Sequence, residues 1–201
     1  MAHHIRVGII KNDEINFKGI LLSKDGIFIL ECNYWGGMVK NTNYSLIYHD
    51  HYSYFSCYVW KNFLKKYGMN IFDAFVTPAQ GGSLRLFISK SKRKVLTRYS
   101  NLIKEEINSK LNTNETSKQY EKNVKNTANE LKRIILRLKK NGKNIAGYGA
   151  AAKGMTILKC SKISKKHLDY FVDDSLVKQN KYAPIDHIPI ISRKMAQKKL
   201  P

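Results

Sequence analysis

The fold turns on NIAGYGAAAKGMTILKC, residues 144–160. A short apolar run enters Gly147-Tyr148-Gly149-Ala150, and an alanine-rich stretch with helical character follows. A strand that bends through glycines into a helix opens a Rossmann-like unit. The glycines permit a sharp turn, backbone N–H groups can face a ligand, and the helix directs its positive end at an anion. LDYFVDD, residues 168–174, reads as the second strand and ends in Asp173 and Asp174. That is about 25 residues past the first glycine, near where a ribose hydroxyl would be held. Lys153 adds a cation at the same place. The third glycine comes two positions late for G-x-G-x-x-G, so the residues alone leave open a turn that needs glycine only for packing.

Working back towards the N-terminus, residues 97–140 are polar, helical and rich in Lys, Glu and Asn, with a break at Asn112-Thr113-Asn114 and an end at Asn141-Gly142. Asn112 with Glu115 is the expected capping box of the second helix. Tyr120, Val124, Leu131, Ile134, Ile135 and Leu138 make its apolar stripe. Before this connector, NIFDAFVTP and SLRLFIS read as two strands joined through Gln80-Gly81-Gly82. YVWKNFLKKYGM reads as a helix with Tyr58, Val59, Phe63, Leu64 and Tyr67 apolar and Gly68 as its cap. IFILE, residues 27–31, reads as a buried strand, and residues 15–21 are loosely helical.

The 201 residues carry 36 Lys and Arg against 15 Asp and Glu, a net charge of +21, which calls for acidic partners. The excess is mostly Lys and is spread along the chain, whereas nucleic-acid readers favour Arg for bidentate contacts. Cys32, Cys57 and Cys160 lie far apart, which excludes a zinc ribbon or a disulfide framework and fits a reducing cytoplasm. No apolar run reaches the ~18 residues of a membrane span.

Four segments in order resemble one family: IYHDHYSYFS, TPAQGGSLRLF, AGYGAAAKG and FVDDSLVKQNKYAPIDHIPI. Together they are similar to the S-adenosylmethionine-dependent sugar C-methyltransferases, which methylate a carbon of a nucleotide-linked keto-deoxysugar. The resemblance runs over roughly residues 17–190. It implies an α/β fold: a partial class I methyltransferase (Rossmann-like) segment at 1–95, a helical connector at 96–141, and a partial Rossmann-like nucleotide-sugar-binding domain at 142–201. LLSKDGIFILE, residues 21–31, would be the fifth strand of the methyltransferase domain, and the two strands flanking Gln80 its final pair. The family's zinc domain and donor-binding glycine loop have no counterpart here, so the chain is expected to be a fragment or a shortened homologue, with a separate chain as one source of the donor-binding half.

The resemblance also implies site residues. His51 would be the general base that removes a proton from the carbon beside the keto group, Asp50 (where the family has Glu) would orient it, and Tyr48 would donate to the enolate oxygen. Gln80 (where the family has His), Gly81, Gly82 and Arg85 would contact substrate. Gly147, Gly149, Lys153, Asp173, Lys178, Gln179, Tyr182 and His187 would hold the nucleotide-sugar. S-adenosylmethionine is the implied cofactor, no metal is expected, and neither a membrane nor nucleic acid is the expected partner. From the residues alone, His49 and His51 could also be a metal pair or solvent-facing members of an aromatic core segment. A basic nucleic-acid-binding module and a non-catalytic nucleotide-sugar-binding remnant are the rival functions.

Overall fold

The computed structural model describes residues 22–49 and 51–198, and the backbone of residues 3–6. The loose helical reading at 15–21 lies outside them. The fold is mixed α/β with two small sheets, in two compact units. The first holds residues up to Asn43 with His49–Tyr120, and the second holds Tyr44–Tyr48 and the chain from Glu121 onward.

In the first unit, β1 (His3–Arg6), β2 (Phe28–Asn33), β3 (Asn70–Thr77) and β4 (Ser83–Ser89) form a sheet in the order β1-β2-β4-β3. β1 and β2 are parallel, while β4 runs antiparallel to both of its neighbours. The strand at IFILE therefore sits in a mixed sheet. Alternation along β4 explains its central place. Leu84, Leu86 and Ile88 are fully buried on one face, with Leu86 opposite Leu30 on one side and Ala74 on the other. The other face carries the row Glu31–Arg85–Phe75 straight across the sheet.

Among the described residues, helices α1 (Trp35–Asn41), α2 (Cys57–Lys65) and α3 (Thr97–Asn108) belong to this unit. α2 ends in the expected glycine cap, with Gly68 at φ +66° and Met69 N–H donating to the Leu64 carbonyl. Its buried face differs from the sequence expectation. Cys57, Trp60 and Leu64 enter the core, while Tyr58 and Val59 are exposed. The reason is spacing: 57, 60 and 64 are separated by three and four residues and share one face, with Phe63 and Tyr67 packed on its flank.

α4 (Asn114–Lys140) begins one residue later than the expected box. Its first turn is capped by Thr113, whose hydroxyl accepts from Thr116 N–H, and Asn112 is not the cap. Tyr120 and Ala128 are buried while Val124, Leu131 and Ile135 are half-buried, steps of three or four residues. Ile134 and Leu138 sit on the neighbouring flank and are exposed.

The second unit is built on a parallel sheet, β5 (Ala146–Tyr148), β6 (Tyr170–Val172) and β7 (Ile190–Ile191), in that order. α5 (Ala152–Cys160) connects β5 to β6, and α6 (Arg193–Gln197) follows β7. Leu168, Phe171, Ala183, Ile188 and Ile190 form its main core. No helix among the described residues is long and apolar enough to cross a membrane.

Candidate functional site

The histidine segment lies along the extension of β2. Asn33, the last residue of that strand, places its amide nitrogen 3.2 Å from His51 Nδ1. With the amide NH2 donating, a neutral imidazole carries its proton on Nε2. Turning the amide over reverses both nitrogens, so Asn33 governs which ring nitrogen can accept a proton. Trp35 N–H donates to the Phe55 carbonyl at 3.0 Å, and Tyr54 Oη donates to the His51 carbonyl at 2.9 Å.

The far end of the segment is held by Glu106 of α3. This fully buried carboxylate accepts from Cys57 N–H and Tyr58 N–H, both at 2.7 Å, at the N-terminus of α2. A carboxylate there satisfies two donors that the helix cannot pair and meets its positive end. Burial nonetheless raises the Glu106 pKa, against the lowering effect of the Tyr58 and Cys57 N–H groups and of the Tyr34 and Ser56 hydroxyls. Asp50 lies outside the described residues. Tyr48 belongs to the second unit.

The other first-unit candidates form a turn at the same sheet end, where β2, β3 and β4 pair through Asn33, Ser83 and Thr77. Gln80 is exposed and takes a left-handed φ of 55°. Gly82 carbonyl accepts from Tyr34 N–H, and Gly82 packs against Gly37. Arg85 is spent within the sheet: its guanidinium pairs with Glu31 at 2.6 Å and lies over Phe75.

In the second unit, Gly147, Gly149, Asp173, Lys178 and Gln179 converge where β5 and β6 end. The two glycines serve different purposes. A Cβ on Gly147 would lie 2.4 Å from the Phe171 ring on the adjacent strand, so glycine is required for packing. Gly149 has φ +82° and open space around it, so there the backbone conformation is what favours glycine. Gly149 N–H donates to the Val172 carbonyl and Ala150 N–H to the Asp173 carboxylate, which commits both amides within the protein. Asp173 also accepts from Ser175 N–H and pairs with Lys178 at 3.0 Å, while Gln179 donates to its carbonyl. Tyr182 and His187 lie edge to face in a separate part of the loop before β7, with ring centres 6.2 Å apart.

The Ser175 N–H, opposed by burial and aided by Lys178 and Ala150, holds the Asp173 carboxyl below its ordinary range. Stability from a lowered carboxylate is complete above the unfolded value of about 3.9 and is lost as pH falls through the folded one. Asp173→Asn should therefore weaken the second unit at neutral pH and flatten its loss of stability below about pH 4. Hydrogen exchange of β6 amides at pH 6 and pH 3 reads both effects. Equal acid sensitivity in the two proteins would contradict the assignment.

Residues 78–201 match the family described as C-methyltransferase C-terminal domain. The chain belongs to that family. It is also similar to "C-methyltransferase NovU" of Streptomyces niveus, 25% identical over 192 residues that cover 94% of this chain and 46% of the relative. The chain thus spans about half the length of that curated relative.

Three features of this C-methyltransferase-family chain were missed by motif reading. Asn33 closes an unremarkable apolar strand, and only the fold brings it to His51. Glu106 looks like one acid of a solvated helix, although its place four residues after Leu102 and three after Ile103 put it on the apolar face. Arg193 joins Tyr148 and Asp174 in an exposed cluster at the ends of all three strands, with the tyrosine hydroxyl donating to Asp174 at 2.8 Å. Among the described residues, no three His, Cys, Asp or Glu side chains gather as a metal site.

Proposed function

We propose that this chain takes part in S-adenosylmethionine-dependent methylation of a carbon of a nucleotide-linked keto-deoxysugar, with His51 moving the proton. The observation that carries the reading is the held imidazole: His51 Nδ1 lies 3.2 Å from Asn33, on a segment anchored to β2 and to Glu106. The family match and the relative's description as a C-methyltransferase support transfer to carbon. The strand order β1-β2-β4-β3, with β4 reversed, supports reading the first unit as the closing part of a class I methyltransferase sheet and the parallel β5-β6-β7 sheet as Rossmann-like.

Carbon methylation beside a ketone needs a base at the carbon and a donor to the oxygen that becomes enolate. His51 fills the first role. The turn Gln80–Gly82 meets the sugar, and Lys153, Gln179, Tyr182 and His187 hold the nucleotide-sugar. Arg85, Gly147, Asp173 and Lys178 act by supporting structure, since their contacts are made within the protein.

The methyl donor is a different matter. Its ribose needs a carboxylate with unspent acceptors beside a glycine turn. The strand–glycine–helix turn of the second unit offers Asp173, which already accepts from two N–H groups and an ammonium. That turn does not fit the donor, whose pocket is proposed to come from a separate chain.

Two measurements test the reading. Calorimetric titration with a thymidine diphosphate-linked keto-deoxysugar should give saturable heat that Gly149→Val abolishes. With the donor-binding half supplied, His51→Ala should slow methyl incorporation by roughly 10²–10⁴-fold. Absent heat removes the nucleotide-sugar assignment, and an undiminished rate removes His51.

A further inference from the structure

At the opposite end of the first sheet from His51 lies a groove of about 680 Å³ between α2, α3 and the start of β3. Asn70 pairs with Ser89 there, while Thr77 pairs with Ser83 at the other end. Six residues of β4 separate the two ends, roughly 20 Å of extended chain, so the groove is distinct from the site already described.

Its composition is specific in two ways. Phe72, Val95, Tyr99 and Ile103 line it with apolar surface. Around them stand Lys61, Lys65, Lys92, Arg93 and Lys104, and none of the lining residues is Asp or Glu. Among the described residues, the ion pairs of this unit join Arg85 to Glu31 and Arg98 to Asp73, and neither engages these five cations. Among the described residues, Arg93 donates to the Asp25 carbonyl and lies over the face of Phe72, and its Nε is buried without an acceptor. Protein interiors seldom leave such a donor unpaired.

We infer that this groove binds a small amphipathic anion: an apolar body of up to three rings with a single carboxylate, phosphate or sulfonate head. The volume is in the range of small-molecule sites. The apolar lining gives the body a place that inorganic phosphate cannot use, and the cation rim favours an acidic head over a neutral one. Nucleic acid fits less well, because a polyanion gains nothing from the apolar lining of Phe72, Tyr99 and Ile103.

The probe is 8-anilinonaphthalene-1-sulfonate, followed by fluorescence on the full chain, with N-phenyl-1-naphthylamine as the uncharged counterpart. Saturable binding at one site is expected, at least several-fold tighter than that of the neutral probe and not displaced by millimolar phosphate. The double reversal Lys65→Glu with Lys104→Glu should weaken it about 10-fold, because two cations near an anion each contribute a few-fold. Lys165→Glu with Lys166→Glu makes the same change of net charge in the second unit and should leave binding intact. Circular dichroism checks that both variants fold. Equal weakening by both pairs would reduce the effect to overall charge and overturn the inference. So would indifference to the first pair, or equal affinity for the two probes.

Discussion

Glu106→Ala is expected to lower the stability of the first unit by about 2–4 kcal/mol, a loss typical of removing one partner from a buried charged network. Three consequences add. The Cys57 and Tyr58 N–H groups lose their acceptor in a buried place. α2 loses the negative charge at its start. A cavity replaces the carboxylate beside Tyr34 and Ser56. Glu106→Gln keeps the volume but sets an NH2 group against one of the two N–H donors, so it should cost less, about 1–2 kcal/mol.

Both tryptophans, Trp35 and Trp60, lie in this unit, so tryptophan fluorescence during urea unfolding follows it selectively. The pH dependence has the opposite sign to that of Asp173. The folded Glu106 pKa is raised by burial, so the folded state binds the proton more tightly and stability falls as pH rises from the unfolded value to the folded one. Glu106→Gln should lose that slope. An alanine variant as stable as the parent would show that the buried carboxylate supports nothing.

Gly147→Ala should destabilise the second unit by about 2–3 kcal/mol, the cost of forcing a methyl group into packed space. Gly149→Ala should cost only about 1 kcal/mol, the penalty of a left-handed backbone for a residue with a Cβ. A single residue separates the two glycines, yet the Phe171 ring occupies the Cβ position of one and nothing lies near that of the other. Phe171→Leu should recover part of the Gly147→Ala loss, which a double-mutant cycle would show as coupling. Hydrogen exchange across β5 and β6 is the readout. Equal costs at the two positions would mean that the ring moves aside freely. Ligand binding separates the pair further, since a substitution at Gly149 strikes the open side of the turn.

Much of the local structure was legible. Turn residues and apolar runs located β2, β3, β4 and α2, and the Gly142 stop, because these signals depend on neighbours in sequence. The face of α2 was misjudged at Tyr58 and Val59, since amphipathic aromatic and branched residues can pack or face water, and the choice is made by the sheet beneath. Thr113 replaced Asn112 as a cap because either side chain can close a first turn and chain direction decides between them.

The candidate site divides in the same way. The histidine, the glycine turn and the acids that close β6 stood out by type and spacing. That Arg85 would be spent on Glu31 and Asp173 on Lys178 and two amides, and that His51 would meet Asn33, could not be read, for these partners lie 54, 5 and 18 residues away, and even the nearest depends on how a loop closes.

By itself, the order of residues determined the α/β character, the strand–glycine–helix turn and the family. Only the tertiary structure decided which polar side chains were already satisfied, because a hydrogen bond or ion pair needs atoms within about 3 Å, and that proximity comes from pairing strands and docking helices, not from spacing along the chain.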